Sequence, residues 1–265
     1  MYDFEYLRPK QMDEAVRALA AEGDPKALAG GMTFIPVLKQ RLNKPSAIVD
    51  LAGLGLSGIS LAGEILKIGA MTTHGEIAAS SAVNNAFPAL ASMAGNIGDR
   101  QVRYRGTIGG SLANNDPSAC YPAAVLATGA SIVTDRRTIP AEEFFQGMFT
   151  TDLAADELIT EIHFPVPERA AYAKFPNPAS HYAMVGVFVT KTADGARVAV
   201  TGAGQNGVFR HQAMEDALAK SFDPQALQGV VTPVELMSSD IHGSAAYRAH
   251  LVGVMAIRAV AAAIR

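Results

Sequence analysis

Two glycine pairs constrain this chain more than any other feature. The first lies in Ala29-Gly30-Gly31-Met32-Thr33-Phe34 and the second in Thr107-Ile108-Gly109-Gly110-Ser111-Leu112. Each sits beside short apolar residues and ends in a hydroxyl residue, as expected where a strand turns sharply. Glycine at such a turn lets the backbone take positive φ and approach a ligand closely, so that successive N–H groups converge on an anion. The Thr33 and Ser111 hydroxyls would add donors to the same oxygens. A single Gly-Gly turn is ordinary in a chain with 24 glycines. Two of them predict a diphosphate clamped from both sides, and so a dinucleotide cofactor. The second turn also runs on through TIGGSLANNDPSACYP, a polar stretch longer than the roughly two to five residues a structural turn needs.

The 265 residues suffice for one large domain or two modest ones, and 49% hydrophobic with 18% charged residues is a globular composition. A net charge of −3 gives no basic field for nucleic acid or an anionic membrane. Apolar runs stop well short of the roughly 20 residues of a membrane span. The N-terminal MYDFEYLRPKQMDEA is acidic where a signal peptide needs a basic start, so the expected location is the cytoplasm. The single cysteine, Cys120, rules out an intrachain disulfide and an all-cysteine iron–sulfur cluster. The histidines are scattered without close metal-ligand spacing; His242 and His250, eight residues apart, read as surface residues. The high apolar fraction fits either a large core or a subunit that hides surface against partners.

Periodicity predicts an amphipathic helix from Met12 to Ala21, a short strand at Ala27–Ala29 and a helix from Ile35 to Leu42. A buried strand follows at Ala47–Leu51, which makes a strand–turn–helix–strand unit suited to parallel pairing. Further strands are expected at Glu64–Ala70, Ser131–Val133, Arg137–Ile139 and Leu158–Phe164. Thr73 and Glu76 have capping-box spacing, and Ala86–Ile97 reads as a packed helix leading straight into the second glycine turn. Prolines at 165, 167, 176 and 178 punctuate the next stretch and place a domain boundary near residue 168. Beyond it come a hairpin, Ala183–Lys191 with Ala196–Gly202, and helices over Met214–Lys220 and Ala245–Ile264.

The segments AGGMTFIPVLKQRL, VDLAGL, LKIGAMTTH, VRYRGTIGGSLANNDP, FTTDLAADELITEIHFP and YAKFPNPASHYAMVGV occur in one order. In that order, together with YRAHLVGVMAIRA near the C-terminus, the chain resembles the FAD-binding medium subunits of the molybdenum hydroxylases, the family of xanthine dehydrogenase and aerobic carbon monoxide dehydrogenase. The resemblance implies an α+β fold: a two-subdomain FAD-binding domain of PCMH/VAO-like type over residues 1–168, then a smaller α+β domain with an antiparallel sheet and helices over 169–265. It implies FAD as the cofactor here. It also implies a large partner subunit with the molybdenum cofactor, a small partner with 2Fe–2S clusters, and a doubled heterotrimer. Electrons would pass from the clusters to the FAD and on to an external acceptor, so the chain would be an oxidoreductase subunit.

By the same resemblance, cofactor contacts fall on Ala29, Gly30, Gly31, Met32, Thr33 and Phe34, and on Thr107, Gly109, Gly110, Ser111, Asn115 and Asp116. The backbone N–H groups of both turns would hold the phosphates. Asp116 would accept from ribityl or ribose hydroxyls. Ile159 aligns with a position that packs near the adenine or flavin, although an apolar strand residue also reads as plain core. Lys174 would set a positive charge near the flavin, and Tyr182 would stack over its ring. At Cys120, where the family often has a second acid, a small buried residue is the favoured reading. Arg100, Arg103 and Arg105 would meet phosphate or an acidic partner surface. No nucleophile with its base is present, which places the substrate chemistry on another polypeptide. The alternative reading is a self-sufficient flavin oxidoreductase of the same fold.

Overall fold

The computed structural model describes all 265 residues. The chain begins with β1 (Glu5–Leu7), α1 (Met12–Leu19), β2 (Lys26–Leu28), α2 (Phe34–Lys39) and β3 (Ala47–Asp50). The strands β1 and β2 flank β3, and both pairings are parallel. On α1, Ala15 and Leu19 are buried while Asp13 and Arg17 pair on the outer face, the segregation that its periodicity requires. This small parallel layer carries the first glycine turn.

A second layer starts with β4 (Ile59–Ala62) and β5 (Ile65–Gly69), followed by α3 (His74–Ala79), α4 (Ser81–Ala86), α5 (Pro88–Gly95) and α6 (Arg100–Arg105). Next come α7 (Ile108–Asn114), α8 (Tyr121–Thr128), β6 (Ser131–Thr134), β7 (Thr138–Pro140) and α9 (Ala141–Phe144). The short pair β8 (Phe145–Gly147) and β9 (Thr150–Thr151) precedes β10 (Ile159–Pro165). The resulting five-stranded antiparallel sheet runs β4-β5-β10-β6-β7, with β10 at its centre. The Thr73–Glu76 capping box forms as its spacing predicts, with Thr73 N–H donating to Glu76 at 2.7 Å and Glu76 N–H to Thr73 at 3.2 Å. The expected direct run from α5 into the second glycine turn does not occur. Asp99 accepts from the Val102 N–H at 2.8 Å and starts α6 between them.

The C-terminal layer comprises β11 (Arg169–Pro176), β12 (Ala183–Thr192), β13 (Gly195–Thr201), β14 (Phe209–Arg210), α10 (Gln212–Lys220) and α11 (Ala245–Ala263). Its sheet is antiparallel in the order β11-β12-β13-β14. The proline-punctuated stretch is therefore mostly strand: β11 is an edge strand, and Pro176 falls at its end, where a missing N–H is tolerated.

Two large cores meet at this sheet. One gathers Leu66, Ile68, Phe87, Leu90, Tyr121, Ile132, Ile162 and Phe164 between the five-stranded sheet, α5 and α8. The other packs Val185, Val187, Val189, Val198 and Val200 against Val252, Met255 and Ala259 of α11. Phe188 of β12 and Ala199 of β13 belong to the first core, so the C-terminal sheet is apolar on both faces. All 8 residues of α8 are buried, because sheets lie on either side of it. No helix is long and apolar enough to cross a membrane, and no group of His, Cys, Asp or Glu side chains could hold a metal ion.

Candidate functional site

The two glycine turns face one cavity of about 470 Å³. They touch each other backbone to backbone, since a side chain at Gly30 would run into the Arg105 carbonyl and lie 2.9 Å from Gly106 Cα. Ala29 to Phe34, Thr107, Gly109, Gly110, Ser111, Asp116, Ile159, Lys174 and Tyr182 all line the cavity. Segments far apart in sequence are thus brought to one place.

In the first turn the chain leaves β2 and bends at Gly31, whose φ is +75°. The N–H groups of Gly30, Gly31, Met32 and Thr33 have no acceptor within the protein. Thr33 precedes α2 without using its hydroxyl as a cap. Successive unpaired amides around a positive-φ residue form a nest, an anion-binding concavity. Gly30 and Gly31 are buried, and a buried unpaired N–H is costly unless a ligand fills it.

The second turn is built differently from the expectation. It follows α6 instead of a strand, and Gly109 and Gly110 lie in the first turn of α7 without positive φ. Their N–H groups are engaged inside the protein: Gly109 donates to Ala70 O at 2.8 Å and Gly110 to Thr107 Oγ1 at 3.2 Å. Ile108 and Ser111 donate to Thr72 O and Thr107 O, at 3.1 and 3.0 Å. The glycines serve proximity here. A Cβ on Gly109 would stand 2.6 Å from Ala70 Cβ, and one on Gly110 would stand 3.2 Å from Ala29 Cβ. The Thr107 N–H and the Ser111 hydroxyl remain uncommitted.

Asp116 lies just past the end of α7, its carboxylate accepting from the Ser118 N–H at 2.8 Å. Tyr182 is 48% exposed, and burial with the Asp116 charge pushes its hydroxyl up. Lys174 reaches in from β11, donating to Asn96 O at 2.6 Å and His181 O at 3.1 Å. Ile159 begins β10 and serves both cavity wall and core. Glu157 lies beside it, held by Arg137 at 2.8 and 2.9 Å. That contact brings its carboxyl down to about 2 and locks it into the wall.

Asn115 does not line the cavity. It ends α7 in the left-handed region, and its amide donates to Gly147 O at 2.7 Å and Thr150 O at 2.8 Å, anchoring the β8–β9 hairpin. Of the three arginines, Arg103 ties down Ile97 O and Gly98 O at 2.9 Å each, whereas Arg100 and Arg105 are exposed. Both His242 and His250 are on the surface. The sequence reading overlooked His74, Ser118, Ser180 and His181 in the lining. His74 had a visible signal in the LKIGAMTTH segment, but its burial has none.

Residues 2–167 match the family model described as "FAD binding domain in molybdopterin dehydrogenase", and residues 170–263 match "CO dehydrogenase flavoprotein C-terminal domain". The nicotine 6-hydroxylase medium subunit of Paenarthrobacter nicotinovorans is 36% identical, over 93% of this chain and 92% of that relative. The carbon monoxide dehydrogenase medium chain of Hydrogenophaga pseudoflava is 34% identical, over 98% of this chain and 96% of the relative. Among solved structures, reconstituted CO dehydrogenase from Oligotropha carboxidovorans superimposes with a TM-score of 0.90 at 34% identity, covering 99% of this chain and 98% of that one.

Proposed function

This chain belongs to the FAD-binding medium subunits of the molybdopterin dehydrogenases, and from that premise we propose that it is the electron-carrying flavoprotein of a three-subunit molybdenum hydroxylase. Electrons reach it from the 2Fe–2S clusters of a small partner, which a large molybdenum-cofactor subunit fills by oxidising the organic substrate. They leave to an external acceptor. The assembly is a heterotrimer, doubled about a two-fold axis, the commonest closed arrangement. Within the chain, residues 1–168 form the FAD-binding domain and residues 169–265 a C-terminal domain that covers the cavity.

The row of unpaired N–H groups from Gly30 to Thr33 carries this reading, because a diphosphate supplies the acceptors that those amides lack. When bound, FAD supplies a ring that takes up and returns two electrons. The chain holds and tunes it. The Thr33 and Ser111 hydroxyls and the Thr107 N–H add donors around the diphosphate. Asp116 accepts from ribityl or ribose hydroxyls. Tyr182 would shield the ring from water, and Lys174 would favour negative charge on it. The second glycine turn contributes closeness more than donors, since its glycine amides are engaged elsewhere.

The test is to denature the purified protein and identify what is released. FAD is expected. FMN, or a chain that stays colourless after reconstitution with FAD, overturns the reading.

A further inference from the structure

Lys174 binds the two halves of the chain together without meeting a charge. Its Nζ contacts Asn96 O at 2.6 Å, His181 O at 3.1 Å and Cys120 Sγ at 3.9 Å, all of them uncharged partners. Cys120 is 5% exposed, and burial pushes its thiol up despite the nearby lysine. Tyr121 and Tyr172 lie near this thiol, and burial holds both hydroxyls well above their ordinary range. Neither hydroxyl has a hydrogen-bond partner. Gly186 leaves the room that the Tyr172 hydroxyl occupies, since a side chain there would collide with it. The lysine therefore stands in the cavity wall, backed by three protonated groups.

We propose that Cys120 is a positioning residue that leaves Lys174 without a counter-charge, so that the cavity favours the reduced, anionic form of the cofactor over the oxidised form. The proposal rests on the reading that FAD fills this cavity. A carboxylate in place of the thiol would pair with the ammonium at salt-bridge distance and cancel its field on the ring. A neutral hydroxyl would not. Residue 120 thus sets how strongly the lysine acts, although the lysine makes the contact.

The experiment compares FAD-loaded wild-type protein with Cys120→Ser and Cys120→Asp. Two quantities are read: the midpoint potential in a dye-equilibrated titration, and the affinity for sulfite, an anion that adds to flavins where positive charge stabilises the product. Cys120→Ser should match the wild type in both. Cys120→Asp should keep FAD but shift the reduced-over-oxidised preference about tenfold toward the oxidised form, a drop of about 30 mV for a two-electron couple. Its sulfite affinity should fall by a similar factor. Cys120→Glu carries the same charge and replaces the aspartate variant if that variant does not fold. Equal potentials and sulfite affinities in the serine and acidic variants overturn this inference alone. A wild-type chain that binds no FAD overturns the cavity reading and this inference with it.

Discussion

The two glycine turns share a residue pattern and differ in what their glycines do. In the first, Gly31 takes a φ of +75° and a row of amides is left unpaired. In the second, Gly109 and Gly110 are helical and their amides are bonded within the protein. The first pair supplies donors, with backbone freedom at Gly31 and close approach at Gly30, whereas the second serves close approach alone. Identical dipeptides therefore predict different mutational behaviour, and that behaviour can separate the two roles.

The largest effect is expected at the seam between them. Gly30→Val drives a branched side chain into the Arg105–Gly106 backbone, which cannot move without parting the turns. Loss of FAD binding and roughly 3 kcal/mol or more of destabilisation should follow, measured by FAD titration and urea unfolding. Gly109→Val, against Ala70, should behave alike. Near-normal stability in either variant would mean that the backbone at that contact yields without cost.

Next in size is the pH response of His74, which closes the seam from behind. A Cβ on Gly106 would lie 2.6 Å from its Nε2. Burial, with the Arg103 charge adding to it, lowers His74 from 6.5 to about 4. Between those values the unfolded chain binds a proton that the folded chain excludes. Stability from this residue is full above pH 6.5 and is lost as pH falls through about 4. The difference is roughly 3 kcal/mol. Subtracting the pH–stability curve of His74→Phe from that of the wild type should isolate this slope, and parallel curves would refute it.

Gly31 and Gly109 should then part company toward asparagine, which tolerates the left-handed region better than other non-glycine residues. Gly31→Val should cost about 1–3 kcal/mol and most FAD binding, and Gly31→Asn clearly less. At Gly109, asparagine should be as damaging as valine, because space and not φ is lacking there. FAD affinities and unfolding midpoints of the four variants decide the point. Equal losses at Gly31 for Asn and Val would remove the distinction between the turns.

The smallest effect is at Thr107, whose hydroxyl caps α7 by accepting from the Gly110 N–H at 3.2 Å. Thr107→Ala should cost about 1 kcal/mol in thermal unfolding. No change would mean that the helical description of the second turn carries little energy.

Much of this was legible in the sequence because the signals were local. The capping box at Thr73–Glu76, the hairpin of Ala183–Lys191 with Ala196–Gly202 and the helix over Ala245–Ile264 each need only neighbouring residues. The second turn misled for a physical reason: Gly109-Gly110 is a poor helix former, and the Thr107 cap together with close packing on Ala70 and Ala29 holds it helical. The strand β11 was hidden by the prolines that flank and end it, and is stabilised by pairing with β12, a long-range fact. Lys174 and Tyr182 were found through the motif around them. Asn115 was carried along by the same kind of motif, although its amide faces a hairpin more than thirty residues away in sequence. The burial of His74 has no local sign.

The strand β12 has a consequence for how the molecule comes apart. Phe188 points into one core with Phe87, at 5.9 Å between rings, while Val187 and Val189 point into the other. The Thr190 hydroxyl donates to Ala127 O at 2.6 Å across that junction, and Thr201 bonds Pro117 O and Ala119 O. Neither half can melt without baring an apolar sheet face that the other half covers. Although two family models divide the sequence near residue 168, the first core crosses that division through Phe188 and Ala199. Unfolding of the C-terminal layer is therefore coupled to that of the five-stranded layer, because β12 lends apolar side chains to both cores.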